Sequence, residues 1–228
     1  MKPPGYLKVV RLVLAKDLRT ELRSKETLAT MLLFGLVLTF VFAFGFVNDP
    51  KTNRKVIPGA LWCALLFTGS LGVGRTFARE ATDGAFAALI LSPADRSAIL
   101  LAKITGNFVL VSVVMALVTP ALAVMLRVDL TPHAGIIALQ LALGALGFAV
   151  VGTPLAVMAV NARFAEVLLP MVVFPLLSPL LIAGVKGTGV VLGVTIGDEP
   201  WSWVQFSAAY DLVFGVGGLA LFEKMVTE

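Results

Sequence analysis

Long apolar runs separated by short polar breaks organise this chain. A bilayer's hydrocarbon core is about 30 Å thick and needs about 20 apolar residues in a helix, and six runs approach or exceed that length. The first covers about 27–47, contains MLLFGLVLTFVFAFGFV, and closes at the turn-forming Asn48-Asp49-Pro50. A polar loop with Lys51, Arg54 and Lys55 leads to the second run, about 56–77, and a more polar stretch spans 78–97. The third, about 99–126, stops at Arg127 and Asp129; the fourth, about 134–160, at Asn161 and Arg163; the fifth, about 165–185, at Lys186. A Gly-rich segment leads to Pro200 and a sixth run at about 202–222. The runs are continuous rather than alternating, which argues against the strands of a membrane β-barrel. The pattern predicts an all-α polytopic membrane protein of six transmembrane helices.

The segment before the first run has a different period. Leu7, Val10, Leu14, Leu18 and Leu22 recur at spacings of three and four, which marks one face of a helix, with Lys8, Lys16, Arg19 and Arg23 opposite. Such a helix suits the membrane interface, cations toward anionic headgroups; a solvated basic leader is the alternative. Asp17 and Glu21 fall near the apolar stripe and break its amphipathicity. Two units follow: residues 1–26, an amphipathic cytoplasmic or interfacial helix, and 27–228, a transmembrane bundle with no room for a soluble domain.

Composition agrees. Of 228 residues 58% are hydrophobic and 14% charged, with mean hydropathy +0.96; soluble domains average about 25% charged. The first apolar run begins after a charged segment and is too long for a signal-peptide core, so it is expected to be retained. The pI of about 9.4 does not point to nucleic acid, because the basic residues gather at one end of the chain. Thirteen Lys and Arg fall on the side of the termini and five on the other. The positive-inside rule then places both termini in the cytoplasm of a multi-pass inner (plasma) membrane protein facing the lipid bilayer.

Candidate chemistry is sparse. None of the 21 glycines precedes a Lys, so the chain lacks the Gly-Lys step of a P-loop and cannot hydrolyse ATP by that mechanism. It carries no Cys-x-x-Cys, His-x-x-x-His or Gly-x-Ser-x-Gly, and the single cysteine, Cys63, lies in an apolar run. No metal site and no catalytic group is expected. His133 sits beside Pro132 in an outer loop, where a surface histidine is a better account than a haem ligand lacking a second imidazole. Asp211 falls inside the sixth run. An intramembrane carboxyl must face the bundle, pair or stay protonated, as a coupling or substrate-path group or as a carboxyl bonded to neighbours near Tyr210. Pro170, Pro175 and Pro179 predict a bent or broken fifth helix. Gly69, Gly72, Gly144 and Gly147 would allow helices to approach closely.

The polar stretch between the second and third runs reads as a short helix from Arg79 to Ser92. Glu80 and Asp83 lie in its first turn, Gly84 lies within it, Phe86, Leu89 and Ile90 form an apolar edge, and Pro93 stops it. On physics alone it is either a docking element or an interfacial helix without a partner.

Arg79-Glu80, Asp83-Gly84, Leu89, Ser92-Pro93 and Lys103 together resemble the cytoplasmic loop of ABC-2-type (type V exporter-like) permeases. Within that superfamily the chain is most similar to the B subunit of the cytochrome c maturation haem exporter. Its length, its charged leader, the stretch LLPMVVFPLLSPLLIAGV at 168–185, and Tyr210-Asp211 followed by Phe222-Glu223 carry the likeness. The resemblance implies that Arg79, Glu80, Asp83, Gly84, Phe86, Leu89 and Pro93 form a coupling helix for a separate cytoplasmic ABC ATPase subunit. It further implies haem as cargo of the complex, other membrane subunits of the haem maturation machinery, an outer-face haem chaperone, and room for a homodimer of the permease. A permease exporting a lipid or drug, or a secondary transporter, is the alternative.

Overall fold

The computed structural model describes residues 5–46, 49–82, 94–159, 165–196 and 199–225. Among them are seven α-helices: α1 (Tyr6–Ser24), α2 (Glu26–Phe46), α3 (Pro50–Thr82), α4 (Arg96–Met125), α5 (Ala134–Ala159), α6 (Ala165–Val191) and α7 (Pro200–Met225), with a short 3-10 turn at Thr131–His133 before α5. Among the described residues five stretches are long and apolar enough to cross a membrane: Glu26–Phe46, Pro50–Arg75, Arg96–Met125, Thr131–Met158 and Met171–Val191. The run expected to be a sixth span is helical as α7, and it is not among those five.

α1 packs on the start of α4. Val9 and Val13 are buried with Ala98, Ile99 and Ala102, and Val10, Leu14 and Ala94 close the edge. The chain then turns through Lys25, whose left-handed φ of 55° lets its N–H return to Glu21 O at 2.6 Å. The Glu21 carboxylate reaches across the turn and accepts the Leu28 N–H at 2.8 Å, satisfying one of the donors that the first turn of α2 leaves open.

Every fourth residue of α2 is buried, from Thr27 through Met31, Gly35 and Thr39 to Ala43. The rest of its circumference presents Leu33, Val37, Phe40, Val41 and Phe44, the last 86% exposed. A helix apolar all round with only one narrow stripe packed is built for a hydrocarbon surround.

Asp49 caps α3, accepting the N–H groups of Lys51 (2.8 Å) and Thr52 (3.0 Å) and the Thr52 hydroxyl (2.7 Å). The Thr52 hydroxyl, first among these, holds the Asp49 carboxyl below the ordinary aspartate range. Pro50 opens the helix, where its missing N–H costs nothing. Lys51, Arg54 and Lys55, expected in a loop, therefore lie on the first turns of α3.

α6 runs unbroken from Ala165 to Val191 through Pro170, Pro175 and Pro179, so of the bend or break expected there the break does not occur. Pro179 has no N–H to offer the Pro175 carbonyl, and the Ser178 hydroxyl donates to it instead at 2.7 Å. Lys186 does not end the helix. The end comes at Gly193, whose φ of 68° permits Val194 N–H to reach back to Gly189 O at 2.9 Å.

The core lies where α3, α5 and α6 meet around Trp62, which is 1% exposed. Its ring occupies the space left by two glycines: a Cβ at Gly144 of α5 or at Gly184 of α6 would overlap the indole. Its Nε1 donates to Thr188 Oγ1 at 3.1 Å, satisfying the one polar atom of the ring.

Candidate functional site

The segment expected to couple to an ATPase begins on the last described turn of α3. Arg79 and Glu80 belong to that helix, which continues to Thr82; Asp83, Gly84, Phe86, Leu89 and Pro93 lie outside the described residues. The helices on either side of the segment are fixed in a specific way. Before it, Arg75 of α3 meets Glu26 of α2 at 3.3 Å, an exposed pair. After it, Asp95 caps α4 by accepting the Ser97 N–H (2.9 Å) and Ser97 hydroxyl (2.7 Å). That hydroxyl is the main cause holding the Asp95 carboxyl below its ordinary range. Two turns further along α4, Lys103 Nζ meets Asp17 Oδ2 of α1 at 2.8 Å. Lys103 is one of the positions that carried the family resemblance, and it sits against Asp17, which looked like a flaw in the α1 stripe. Both margins of the segment are thus tied to the α1–α2 elbow.

The second sequence-derived position, Asp211, lies mid-way along α7 and is 5% exposed. Among the described residues neither carboxyl oxygen has a hydrogen-bond partner. The carboxyl fits against α5 because residue 147 is glycine; a Cβ there would overlap Asp211 Oδ1 and Leu180 Cδ2 of α6. The neighbouring Tyr210 does not serve it. Tyr210 stacks on Phe214 at 4.4 Å and donates its hydroxyl to Leu176 O at 2.7 Å, bracing α7 against the proline-rich stretch of α6.

Further buried polar contacts join the spans, and sequence reasoning did not single them out. Asn107 Nδ2 donates to Thr153 Oγ1 at 2.9 Å between α4 and α5, and Gln140 Nε2 donates to Ser207 Oγ at 2.8 Å between α5 and α7. Asn53 Nδ2 donates to Leu126 O at 2.8 Å, fastening the start of α3 to the end of α4. For Asn107 and Gln140 the available signal was an isolated amide inside an apolar run, since each needs a partner in hydrocarbon; Asn53, among the charges of the polar loop, gave none. His133 is exposed in the turn before α5, and among the described residues no group of three or more His, Cys, Asp or Glu converges.

Comparison with known proteins bears on these positions. The family model described as CcmB protein matches residues 8–222. A relative named heme exporter protein B from Paracoccus denitrificans (strain Pd 1222) is 26% identical over 203 residues, 89% of this chain and 91% of its own length. Proteins of the same name from Haemophilus influenzae and Pseudomonas aeruginosa are each 26% identical, covering 75% and 77% of this chain and 76% and 78% of theirs. The match takes in α2 to α6 entire, nearly all of α1, and α7 as far as Phe222, with Asp17, Lys103 and Asp211 inside it. The chain belongs to the CcmB family.

Proposed function

We propose that this chain is the membrane-embedded permease subunit of an ATP-driven complex that exports or handles haem for c-type cytochrome biogenesis. The observation that carries the reading is the likeness to heme exporter protein B over 89% of this chain and 91% of the Paracoccus relative. The chain itself has no P-loop lysine, so hydrolysis is assigned to a separate cytoplasmic ABC ATPase subunit. In this reading the fold is of the ABC-2 type, α7 is the sixth span, α1 lies in the interface, and both termini face the cytoplasm of the inner membrane. The thirteen-to-five division of Lys and Arg supports that orientation.

The segment from Arg79 to Pro93 is assigned to docking on the ATPase. A ligand-driven shift needs contacts that differ between two states, and the ties on each side of this segment supply a route for it. Displacing its ends moves α3, which bears on α2 through Arg75–Glu26, and α4, which carries α1 through Lys103–Asp17. Asp211 is assigned to the moving part of the bundle, as a carboxyl packed without a partner where α5, α6 and α7 meet. The work done is release of a haem-loaded chaperone on the outer face, alongside other membrane subunits and a second copy of this chain.

Two measurements test this. Glu80→Lys combined with Asp83→Lys should abolish co-purification with the ATPase subunit while leaving the bundle folded; unchanged association sinks the docking assignment. Deleting the gene should remove haem-stained c-type cytochromes, and normal levels of all of them rule out the haem role.

A further inference from the structure

At the end of the bundle remote from α1, a cavity of about 720 Å³ lies between the second half of α4 and the first half of α5. Its walls are mostly apolar, with Met115, Ala116, Ala138 and Leu141 among them, and Arg127 and Asp129 line it at the turn beyond α4. Ala116 and Ala138 are exposed, so the cavity opens sideways onto the surface that faces the bilayer.

One feature is not that of a simple packing gap, and it is Arg127 itself. It occupies the left-handed position at the end of α4, φ 53°, while Val128 N–H returns to Ala123 O at 2.9 Å and Arg127 N–H to Val124 O at 3.1 Å. That position favours glycine, yet it carries a guanidinium. The nearby Asp129 carboxylate is engaged by the Thr131 N–H (2.9 Å) and hydroxyl (2.6 Å) and faces Arg54. Among the described residues no carboxylate pairs with Arg127.

We propose that this cavity is a phospholipid site, with one acyl chain between α4 and α5 and the phosphate on Arg127. A lateral opening admits a ligand already in the membrane, and Ala and Leu walls suit an unbranched chain. A guanidinium at the rim recognises phosphate by charge-assisted hydrogen bonds. The site is independent of any haem role, and its ligand class is set by the rim cation and the cavity's shape.

Full-length protein in mild detergent, given phosphatidylethanolamine or a diacylglycerol with the same chains, is read by native mass spectrometry for retained lipid. The wild type should retain the phospholipid about tenfold over diacylglycerol, the scale of one charge-assisted bond. Arg127→Gln should erase that preference and Arg127→Lys should keep most of it, a contrast that misfolding would not produce. Ala138→Phe, which fills the cavity from α5, should lower retention of both lipids. Equal retention of the two lipids by the wild type, full phospholipid retention by Arg127→Gln, or unchanged loading of Ala138→Phe overturns the proposal. So does a wild type that retains no lipid because a second subunit's helix fills the cavity.

Discussion

Lys103 Nζ of α4 and Asp17 Oδ2 of α1 form an ion pair at 2.8 Å in which the lysine side chain is 1% exposed and the aspartate 15%. The pair joins the leader helix to a membrane span at a depth where neither charge is well hydrated, and Lys16 meets the other Asp17 oxygen at 3.0 Å. Removing one partner of such a pair leaves the other charge less well compensated, at a cost of up to about 3–5 kcal/mol. Asp17→Asn should therefore lower the detergent-solubilised protein's melting temperature markedly, as should Lys103→Met. The double variant should lose less than the two single losses combined, because both single variants forfeit the same interaction. Additive losses in a thermal-shift cycle would show that the two groups do not act as a pair.

Asp17 also illustrates what could be read from the sequence. The apolar stripe of α1 was legible, and Asp17 and Glu21 stood out as interruptions of it. Their purpose was not legible, because the partners lie elsewhere in the chain: Lys103 is 86 positions away, and the Leu28 N–H is available to Glu21 only once the chain turns at Lys25. The spans themselves were legible wherever apolar length decided them; α2 occupies Glu26–Phe46 against an expected 27–47. The edges were misjudged where a polar residue serves a helix rather than ending it. Lys51, Arg54 and Lys55 are helical because Asp49 and Pro50 start the helix before them. The prolines of α6 do not break it, because Ser178 takes the carbonyl that Pro179 abandons and the Tyr210 hydroxyl adds a bond one residue on. Asp211 was recognisable as an oddity, while the Gly147 that makes room for it was visible only as one small residue among many.

Asp211 gives a sharper test of charge against crowding. Asp211→Asn keeps the volume and removes the acid; Asp211→Glu keeps the acid and adds a methylene against Gly147 and Leu180. With no partner for the carboxyl among the described residues, packing should decide. The glutamate variant should lose about 1–3 kcal/mol from overpacking, and the asparagine variant should melt close to the wild type. The opposite ranking would mean that the bundle depends on the acid rather than on its size.

Asp95 predicts a pH dependence at the segment margin. Its folded carboxyl is held below the ordinary value chiefly by the Ser97 hydroxyl; burial, the next-largest effect, opposes this, and the backbone N–H groups of Ser97 and Ala98 add to the lowering. A lowered folded pKa means that the stabilisation is complete above the unfolded value of about 3.9 and fades as pH falls through the folded one. At pH 7, Asp95→Ala should cost about 1 kcal/mol, the usual worth of an N-cap. The difference in melting temperature between wild type and Asp95→Ala should shrink as the pH is taken toward 2.5. Asp95→Asn, which caps without titrating, should sit near the wild type at neutral pH. A gap that stays constant down to pH 2.5 would remove the carboxylate from the account.

Trp62 is the point at which α3, α5 and α6 share one side chain, and its energetics can be separated into shape and hydrogen bonding. Gly144 and Gly184 both yield their Cβ space to the indole. Gly184→Ala should therefore overpack the site by about 1–3 kcal/mol, although alanine in an exposed helix would ordinarily be the better residue. Thr188→Val removes the acceptor of the 3.1 Å bond from Trp62 Nε1 and leaves that donor unsatisfied, at about 1–3 kcal/mol. Trp62→Phe removes the donor together with part of the ring, so it should relieve both lesions: the Gly184→Ala and Thr188→Val penalties should each shrink in the Trp62→Phe background. If both penalties persist there undiminished, neither residue acts through the indole, and the close approach of α3 to α5 and α6 must be set by other contacts.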